Sequence, residues 1–189
     1  MARPSKRAQL LDAAIAVAAR DGVRGVSFNS VVDECGISKG GLLYHFPTRD
    51  ALVDAVVTHI ADRWRTRLVA ALAVPFDRAT LAQRCAAYIT VSFSTADPGD
   101  LALLQDGLRD PAAQATWRCL MDDWLLPRDG ERPLTMDQRA ALLAADGVWL
   151  ASTSGMPMPG GEPDRDALAD ELVRRVSVEG VASADATPS

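Results

Sequence analysis

The chain has 189 residues, of which 48% are hydrophobic, 24% charged and 5% aromatic, and its formal net charge is −5. This apolar content supports a folded core of one or two domains and excludes intrinsic disorder. The run of about 20 apolar residues that a membrane span needs is absent, and no signal-peptide pattern follows the N-terminal basic residues. We therefore expect a soluble, cytoplasmic protein with no membrane partner.

Cysteine and histidine are too few and too scattered for a disulfide framework or a zinc site. The three cysteines, Cys35, Cys85 and Cys119, form no CxxC pair, and the only histidines are His45 and His59. Structural zinc needs four such ligands at short spacings. We therefore expect no metal and no cofactor.

Charge is distributed unevenly along the chain. Residues 1–49 hold seven basic and four acidic side chains, a balance of +3, whereas residues 50–189 carry −8. A basic end on an acidic chain indicates a local surface for a polyanion such as DNA.

Helical spacing of apolar residues dominates the chain, and alternation at period two is almost absent. Three short helices are predicted first, each with a serine that can cap its start, at about residues 5–21, 28–35 and 39–45. The last two are joined by Gly36-Ile37-Ser38, a three-residue turn containing glycine. Such a turn between two short helices is typical of a helix-turn-helix.

A larger set of helices follows the first three. Thr48 can cap a long fourth helix that Pro75 closes, and five more helices are predicted at about residues 80–95, 99–108, 111–126, 135–156 and 163–178. The predicted fold is all-α with about nine helices. A helix-turn-helix domain spans residues 1–48, with its motif at about 27–46, a larger bundle spans 49–180, and residues 181–189 form a flexible tail.

The segment from Ser27 to Phe46, SFNSVVDECGISKGGLLYHF, resembles the DNA-binding segment of the tetracycline-repressor-like (TetR/AcrR) family of transcriptional regulators. The resemblance covers about residues 7–53 strongly and the rest by helical layout and length. Three positions depart from the usual family pattern. Ser27 stands where a threonine is usual, Leu43 where many members have tyrosine, and Arg49 where a lysine is common.

The resemblance implies that the third helix reads DNA. Ser27 at a helix start suits a phosphate, and Lys39 begins a short helix that fits a major groove about 12 Å wide. Gly40 and Gly41 would allow the backbone to approach DNA closely, or serve only as flexible positions, and Tyr44 and His45 would contact phosphates or pack on the fourth helix. The candidate DNA-binding residues are Ser27, Ser38, Lys39, Gly40, Gly41, Leu43, Tyr44, His45 and Arg49.

The second region contains none of the common catalytic sequence motifs, so we do not expect an enzyme. Its tryptophans fall at helical spacing beside a few polar residues, which is typical either of plain core packing or of a small-molecule cavity. The candidate pocket residues are Gln105, Trp117, Met121, Trp124, Asp146 and Trp149. A ligand there would be largely apolar, with one polar or cationic group suited to Asp146. The sequence leaves open whether Asp146 faces solvent or has a specific partner.

The last two long helices resemble in position the pair that TetR-like regulators use as a four-helix dimer interface. Small residues mark one face of the first helix, and an apolar stripe marks the second. These residues are Ala140, Ala144, Gly147 and Ala151, followed by Leu168, Leu172 and Val176. We expect both stripes to be exposed in a single chain and buried against a second copy.

The leading hypothesis is a homodimeric transcriptional repressor that binds a pseudo-palindromic double-stranded DNA operator and is released by a small-molecule effector. The alternative is a helix-turn-helix protein with no effector, controlled by a protein partner. An enzyme on a helical bundle would require convergent acid, base or metal groups that the sequence does not offer.

Overall fold

The chain is all-α, as the sequence predicts. A computed structural model describes residues 5–94, 97–107, 109–158, 160–161 and 164–177, and these ranges hold nine α-helices and no strand. The helices are α1 (Lys6–Asp21), α2 (Phe28–Cys35), α3 (Lys39–His45), α4 (Arg49–Ala70), α5 (Leu81–Ser94), α6 (Pro98–Gly107), α7 (Pro111–Leu125), α8 (Met136–Ser154) and α9 (Arg165–Ser177). The predicted tail, residues 181–189, lies outside the described residues.

The helix starts coincide with the predicted caps because a side-chain oxygen accepts a backbone N–H at each of them. Ser5, Ser27, Ser38 and Thr48 each accept from the residue three positions later, at 3.1–3.2 Å. Gly36 ends α2 in the left-handed conformation at φ 68°, which costs glycine little. The turn between α2 and α3 therefore has the geometry that the sequence predicts.

The first three helices pack on one another, and α1 also contacts α4. Leu10, Val31, Leu42 and Phe46 are buried within this N-terminal unit. The 22-residue α4 is about 33 Å long and continues into the rest of the molecule, where Trp64 is buried. Helix α4 therefore runs from the end of the helix-turn-helix into the bundle.

The remaining helices form a bundle around α5 and contact the N-terminal unit through α6, which lies along α1. A buried arginine joins the bundle to the loop after α7. Arg84 is 0% exposed and donates to the carbonyl oxygens of Trp124 and Leu126 and to the Glu131 carboxylate, at 3.1, 2.8 and 3.0 Å. This network satisfies the guanidinium within the core.

One sequence expectation about the last helices is wrong. Leu172 and Val176 are buried within the single chain, where α9 packs on α5 and α8, and Ala151 is buried as well. The apolar stripe of α9 therefore serves its own core. No helix in the described part of the chain is long and apolar enough to cross a membrane.

Candidate DNA-binding surface and effector site

Helix α3 presents most of its side chains to solvent. Leu42 is fully buried and anchors the helix. The two residues after it point outward: Leu43 is 42% exposed and Tyr44 is 85% exposed. Lys39 and Gly40 at its start are exposed as well. An exposed aromatic ring and an exposed ammonium group on the same short helix are unusual for a structural helix and suit contact with a nucleic acid.

The two capping serines lie at the exposed starts of α2 and α3. Ser27 forms a capping box with Ser30, whose hydroxyl accepts the Ser27 N–H at 2.9 Å. The start of α2 is therefore rigid, and its positive dipole end is open to an anion. Ser38 accepts the N–H of Gly41 and sets where α3 begins.

The presence of glycine at positions 40 and 41 of α3 has a different explanation at each position. A β-carbon at Gly40 would meet nothing within 4 Å, so the fold itself does not require glycine there. A β-carbon at Gly41 would lie 3.1 Å from Cγ2 of Ile37, in the turn before the helix. Gly41 therefore has an internal packing reason, and close approach to DNA remains the prediction for Gly40.

His45 and Arg49 are held by their surroundings. The half-buried His45 ring stands edge-on to Tyr44, with centroids 5.2 Å apart. Arg49 donates from Nε to the carbonyl oxygen of Val26 and from Nη2 to that of Val23, both at 3.0 Å. Sequence reasoning missed this clamp between α4 and the 3₁₀ turn Val23–Gly25, because it joins residues far apart in the chain.

An aromatic group forms where α4, α5, α7 and α8 meet. The Trp64 ring lies 5.8 Å from Trp117 and 5.8 Å from Trp149, nearly perpendicular to both, and 6.0 Å from Tyr88. Trp64 and Tyr88 are buried, and Trp117 and Trp149 are half-buried. We call these four residues the aromatic group. Tyr88 was not identified from the sequence, since a single tyrosine on an apolar helix carries no signal of its own.

Asp146 is exposed to solvent and also has a specific partner in this group. The Tyr88 hydroxyl donates to Oδ1 of Asp146 at 2.6 Å. Burial raises the pKa of Asp146, and the hydrogen bond from Tyr88 opposes that rise. Burial and the Asp146 charge raise the pKa of Tyr88 well above its ordinary value. The arrangement is a neutral phenol that donates to a carboxylate beside aromatic rings.

Three candidate pocket residues lie apart from the aromatic group or contribute only to packing. Trp124 is fully buried against Phe76, with ring centroids 4.9 Å apart. Met121 is half-buried and packs on the core. Gln105 is exposed and lines a cleft of about 720 Å³ together with residues of the N-terminal unit. The structure therefore brings Trp117, Trp149 and Asp146 together and places Trp124 and Gln105 elsewhere.

Helix α8 carries an apolar face that no described part of the chain covers. Met136, Leu143 and Leu150 lie seven residues apart and are 79%, 70% and 37% exposed. The small residues Ala140 and Gly147 lie between them and are exposed too. Among the described residues, no group of three or more His, Cys, Asp or Glu side chains is placed to hold a metal ion.

Two family models match the chain. Residues 10–56 match the model described as bacterial regulatory proteins, tetR family, and residues 82–177 match the tetracyclin repressor-like C-terminal domain. The HTH-type transcriptional regulator BetI of Paraburkholderia phymatum is 32% identical over 169 residues, covering 82% of this chain and 85% of BetI. The transcriptional repressor KstR2 of Rhodococcus jostii is 27% identical over 123 residues, covering 64% of this chain and 58% of KstR2.

Solved structures give the same result for the fold. The multidrug binding protein EbrR complexed with malachite green superposes with a TM-score of 0.61 at 25% identity, covering 93% of this chain and 100% of EbrR. A TetR-family protein from Vibrio parahaemolyticus superposes with a TM-score of 0.64 at 19% identity, covering 90% of this chain and 98% of that chain. Family models match both domains, and BetI matches most of the chain. The chain therefore belongs to the TetR family of bacterial transcriptional regulators.

Proposed function

We propose that this regulator is a homodimeric repressor that binds a pseudo-palindromic operator and leaves it when a largely apolar small molecule binds. The observation that carries the DNA-binding part is the exposure of α3, on which Tyr44 is 85% exposed and Lys39 is exposed as well. In this proposal Lys39 reaches base edges or phosphates, while Tyr44, His45 and the start of α2 at Ser27 contact the backbone. Contacts of this kind make binding strongly salt-dependent.

The uncovered face of α8 supports a dimer formed with a second copy. Exposed residues at 136, 140, 143, 147 and 150 follow steps of four and three, the spacing of a coiled-coil seam. Large residues alternate with small ones, so two copies related by a two-fold axis can interdigitate. Helix α9 contributes to this interface by supporting α8 from behind, since its own apolar stripe is buried.

The aromatic group with Asp146 is the proposed effector site. Trp117 and Trp149 are partly open, whereas Trp64 is buried and its Nε1 has no hydrogen-bond partner among the described residues. A ligand that offers a flat apolar face and an acceptor would satisfy that donor, and a cationic group would be favoured by the ring faces and the carboxylate. EbrR, a structural relative, was solved with malachite green. This supports an aromatic organic effector.

Release would act through α4. Trp64 lies on α4, 15 residues and about 22 Å after Arg49 at the start of the same helix. A ligand that shifts Trp64 therefore acts on the helix that follows α3 in the chain. Repression follows if the ligand-free arrangement spaces the two α3 helices for successive major grooves, and the effector stabilises a different spacing.

The DNA-binding part is tested by selecting sequences from random duplex DNA with the purified full chain and measuring affinity at several salt concentrations. Lys39→Ala and Tyr44→Ala should each weaken binding by about 1–2 kcal/mol, with unchanged helix content. Arg118→Ala, an exposed arginine on α7, is the matched control and should bind as wild type does. Wild-type affinity in both α3 variants would overturn the assignment.

A further inference from the structure

Helix α3 has one buried side and one exposed side. Its exposed residues are Lys39, Gly40, Leu43 and Tyr44, whereas Leu42 is fully buried. Positions 39 and 43, and positions 40 and 44, are four residues apart, so the exposed residues form one continuous face of the helix. Around the helix axis, Leu43 lies between Lys39 and Gly40.

Leu43 places an apolar side chain on a surface that is otherwise polar or open. The helix is already anchored by Leu42, and Phe46 is buried immediately after its end. Gly40, three residues before Leu43, has no side chain, and a β-carbon there would meet nothing within 4 Å. The residue one turn before Leu43 therefore does not cover it, and a large partner can approach from outside.

The charge around Leu43 suits DNA as that partner. Residues 1–49 carry a balance of +3, and α3 itself contains no acidic residue. The Lys39 ammonium group is exposed on the same face as Leu43. An α-helix is about 10–12 Å wide and fits a major groove of about 12 Å, where its exposed face meets base edges.

The side chains on this face differ in what they can read in a major groove. Lys39 only donates, so it suits the O6 and N7 acceptors of guanine or a phosphate, and the Tyr44 hydroxyl can donate or accept. Leu43 can do neither. Its matching feature is the C5-methyl group of thymine, the only methyl group that the four bases present in the major groove.

We propose that Leu43 makes this regulator select a thymine in each operator half-site, through contact between its side chain and the C5-methyl group. The inference rests on the DNA-binding function proposed above and adds a base preference to it. Four residues of helix cover about 6 Å, and neighbouring base pairs are about 3.4 Å apart, so this thymine lies within about two base pairs of the Lys39 contact.

The first experiment uses the duplex that the full chain selects from random DNA and replaces each thymine singly with deoxyuridine, which keeps the base pair and lacks only the methyl group. At one thymine of each half-site the wild-type chain should lose about fourfold in affinity, the factor for one methyl-sized group that is no longer buried. Leu43→Ala should bind the thymine and deoxyuridine duplexes equally at that position. Lys39→Ala is the matched control, which should weaken binding to both duplexes and keep the difference between them.

The second experiment places the methyl group on a different base. Cytosine paired with guanine at the same position presents a donor in place of the thymine acceptor, and 5-methylcytosine adds back only the methyl group. The wild-type chain should bind the 5-methylcytosine duplex more tightly than the cytosine duplex, and Leu43→Ala should not distinguish them. Leu43→Met keeps an apolar side chain of similar size and should behave as wild type does in both experiments.

Two results overturn the inference alone: a wild-type chain that is indifferent to deoxyuridine at every thymine, and a Leu43→Ala variant that keeps the thymine preference. Either can occur while Lys39→Ala and Tyr44→Ala still weaken DNA binding, so the α3 surface would stand. A selection that recovers no preferred sequence overturns the proposed function and this inference together.

Discussion

The backbone of Gly99 packs directly on Ile15, where the first turn of α6 meets α1. A β-carbon at position 99 would stand 2.3 Å from the carbonyl oxygen of Ile15 and 2.9 Å from its Cγ2. Two backbones can approach this closely only where a side chain is absent. The contact between α6 and the helix-turn-helix unit therefore depends on this glycine.

We predict that Gly99→Ala lowers the free energy of unfolding by about 1–3 kcal/mol, because the methyl group would push α6 away from α1. Urea unfolding followed by circular dichroism measures the change. Gly40→Ala is the matched control: a β-carbon there meets nothing, so its stability should be unchanged or rise by up to about 1 kcal/mol. Wild-type stability in Gly99→Ala would contradict the close contact.

Asp100, the next residue, is a buried acid in a network of charges. It is 2% exposed and lies 3.6 Å from Arg63 and 3.9 Å from Arg67, both on α4. Arg63 also approaches Asp12 of α1 at 4.0 Å and Asp97 at 3.5 Å. Burial raises the pKa of Asp100 to about 6, although the two guanidinium groups oppose the rise.

The raised pKa sets the direction of a pH effect. Above about pH 6 the folded state holds a charged, poorly solvated carboxylate, and as pH falls from about 6 to 3.8 the folded state binds a proton that the unfolded state does not. Asp100 therefore contributes more stability at lower pH. We predict that Asp100→Asn raises the free energy of unfolding at pH 7.5 by on the order of 2 kcal/mol.

This gain should shrink as pH falls below about 6 and approach zero only below 3.8, where Asp100 is protonated in both the folded and the unfolded state. Thermal unfolding at several pH values measures it, with the exposed Asp62→Asn on α4 as the control. A difference between Asp100→Asn and wild type that stays constant across this range would show that the charge of Asp100 is not responsible.

Local signals were sufficient to predict the helices and the helix-turn-helix. Caps such as Ser27 and the glycine turn at Gly36 act within four residues, so the sequence alone determines where they lie. Contacts between distant segments could not be predicted, because they depend on how each helix is rotated about its axis. The clamp of Arg49 on Val23 and the pairing of Tyr88 with Asp146 join residues 26 and 58 positions apart.

The stripe on α9 illustrates the same limit. Apolar residues at steps of four identify a helix face that is buried in the folded protein. The same pattern results whether that face packs against the core of its own chain or against a partner chain. Leu172 packs inside the chain, whereas Leu143 on α8 is 70% exposed.

These two leucines should respond differently to a charge. We predict that Leu143→Glu converts a dimer to a monomer while leaving the helices intact, because the charge would lie in the interface seam. Leu172→Glu should instead unfold the protomer, since it places an unpaired charge in the core at a cost of several kcal/mol. Analytical ultracentrifugation and circular dichroism distinguish the two outcomes. A stable dimer of Leu143→Glu would exclude the α8 face as the interface.

The last prediction concerns the effector site and uses ethidium, a flat organic cation, as the probe. Ethidium should quench tryptophan emission in the absence of DNA, because the rings of Trp117 and Trp149 each lie 5.8 Å from the central Trp64 ring. Trp117→Ala should weaken binding about tenfold, in line with a loss of 1–2 kcal/mol of aromatic and cation contact. Asp146→Asn removes the carboxylate that accepts from Tyr88 and should weaken ethidium more than an uncharged ligand of similar size.

Trp124→Phe is the control. It distinguishes binding at the aromatic group from a general effect of replacing a buried tryptophan in the bundle. Trp124 pairs with Phe76 rather than with the aromatic group, so its replacement should leave the ethidium affinity unchanged while reducing total emission. Equal losses in Trp117→Ala and Trp124→Phe would mean that ethidium responds to the stability of the bundle and not to a site. Because Asp146→Asn keeps the size of the side chain and removes only its charge, a wild-type response in that variant would exclude the carboxylate from effector recognition even if the aromatic rings bind the ligand.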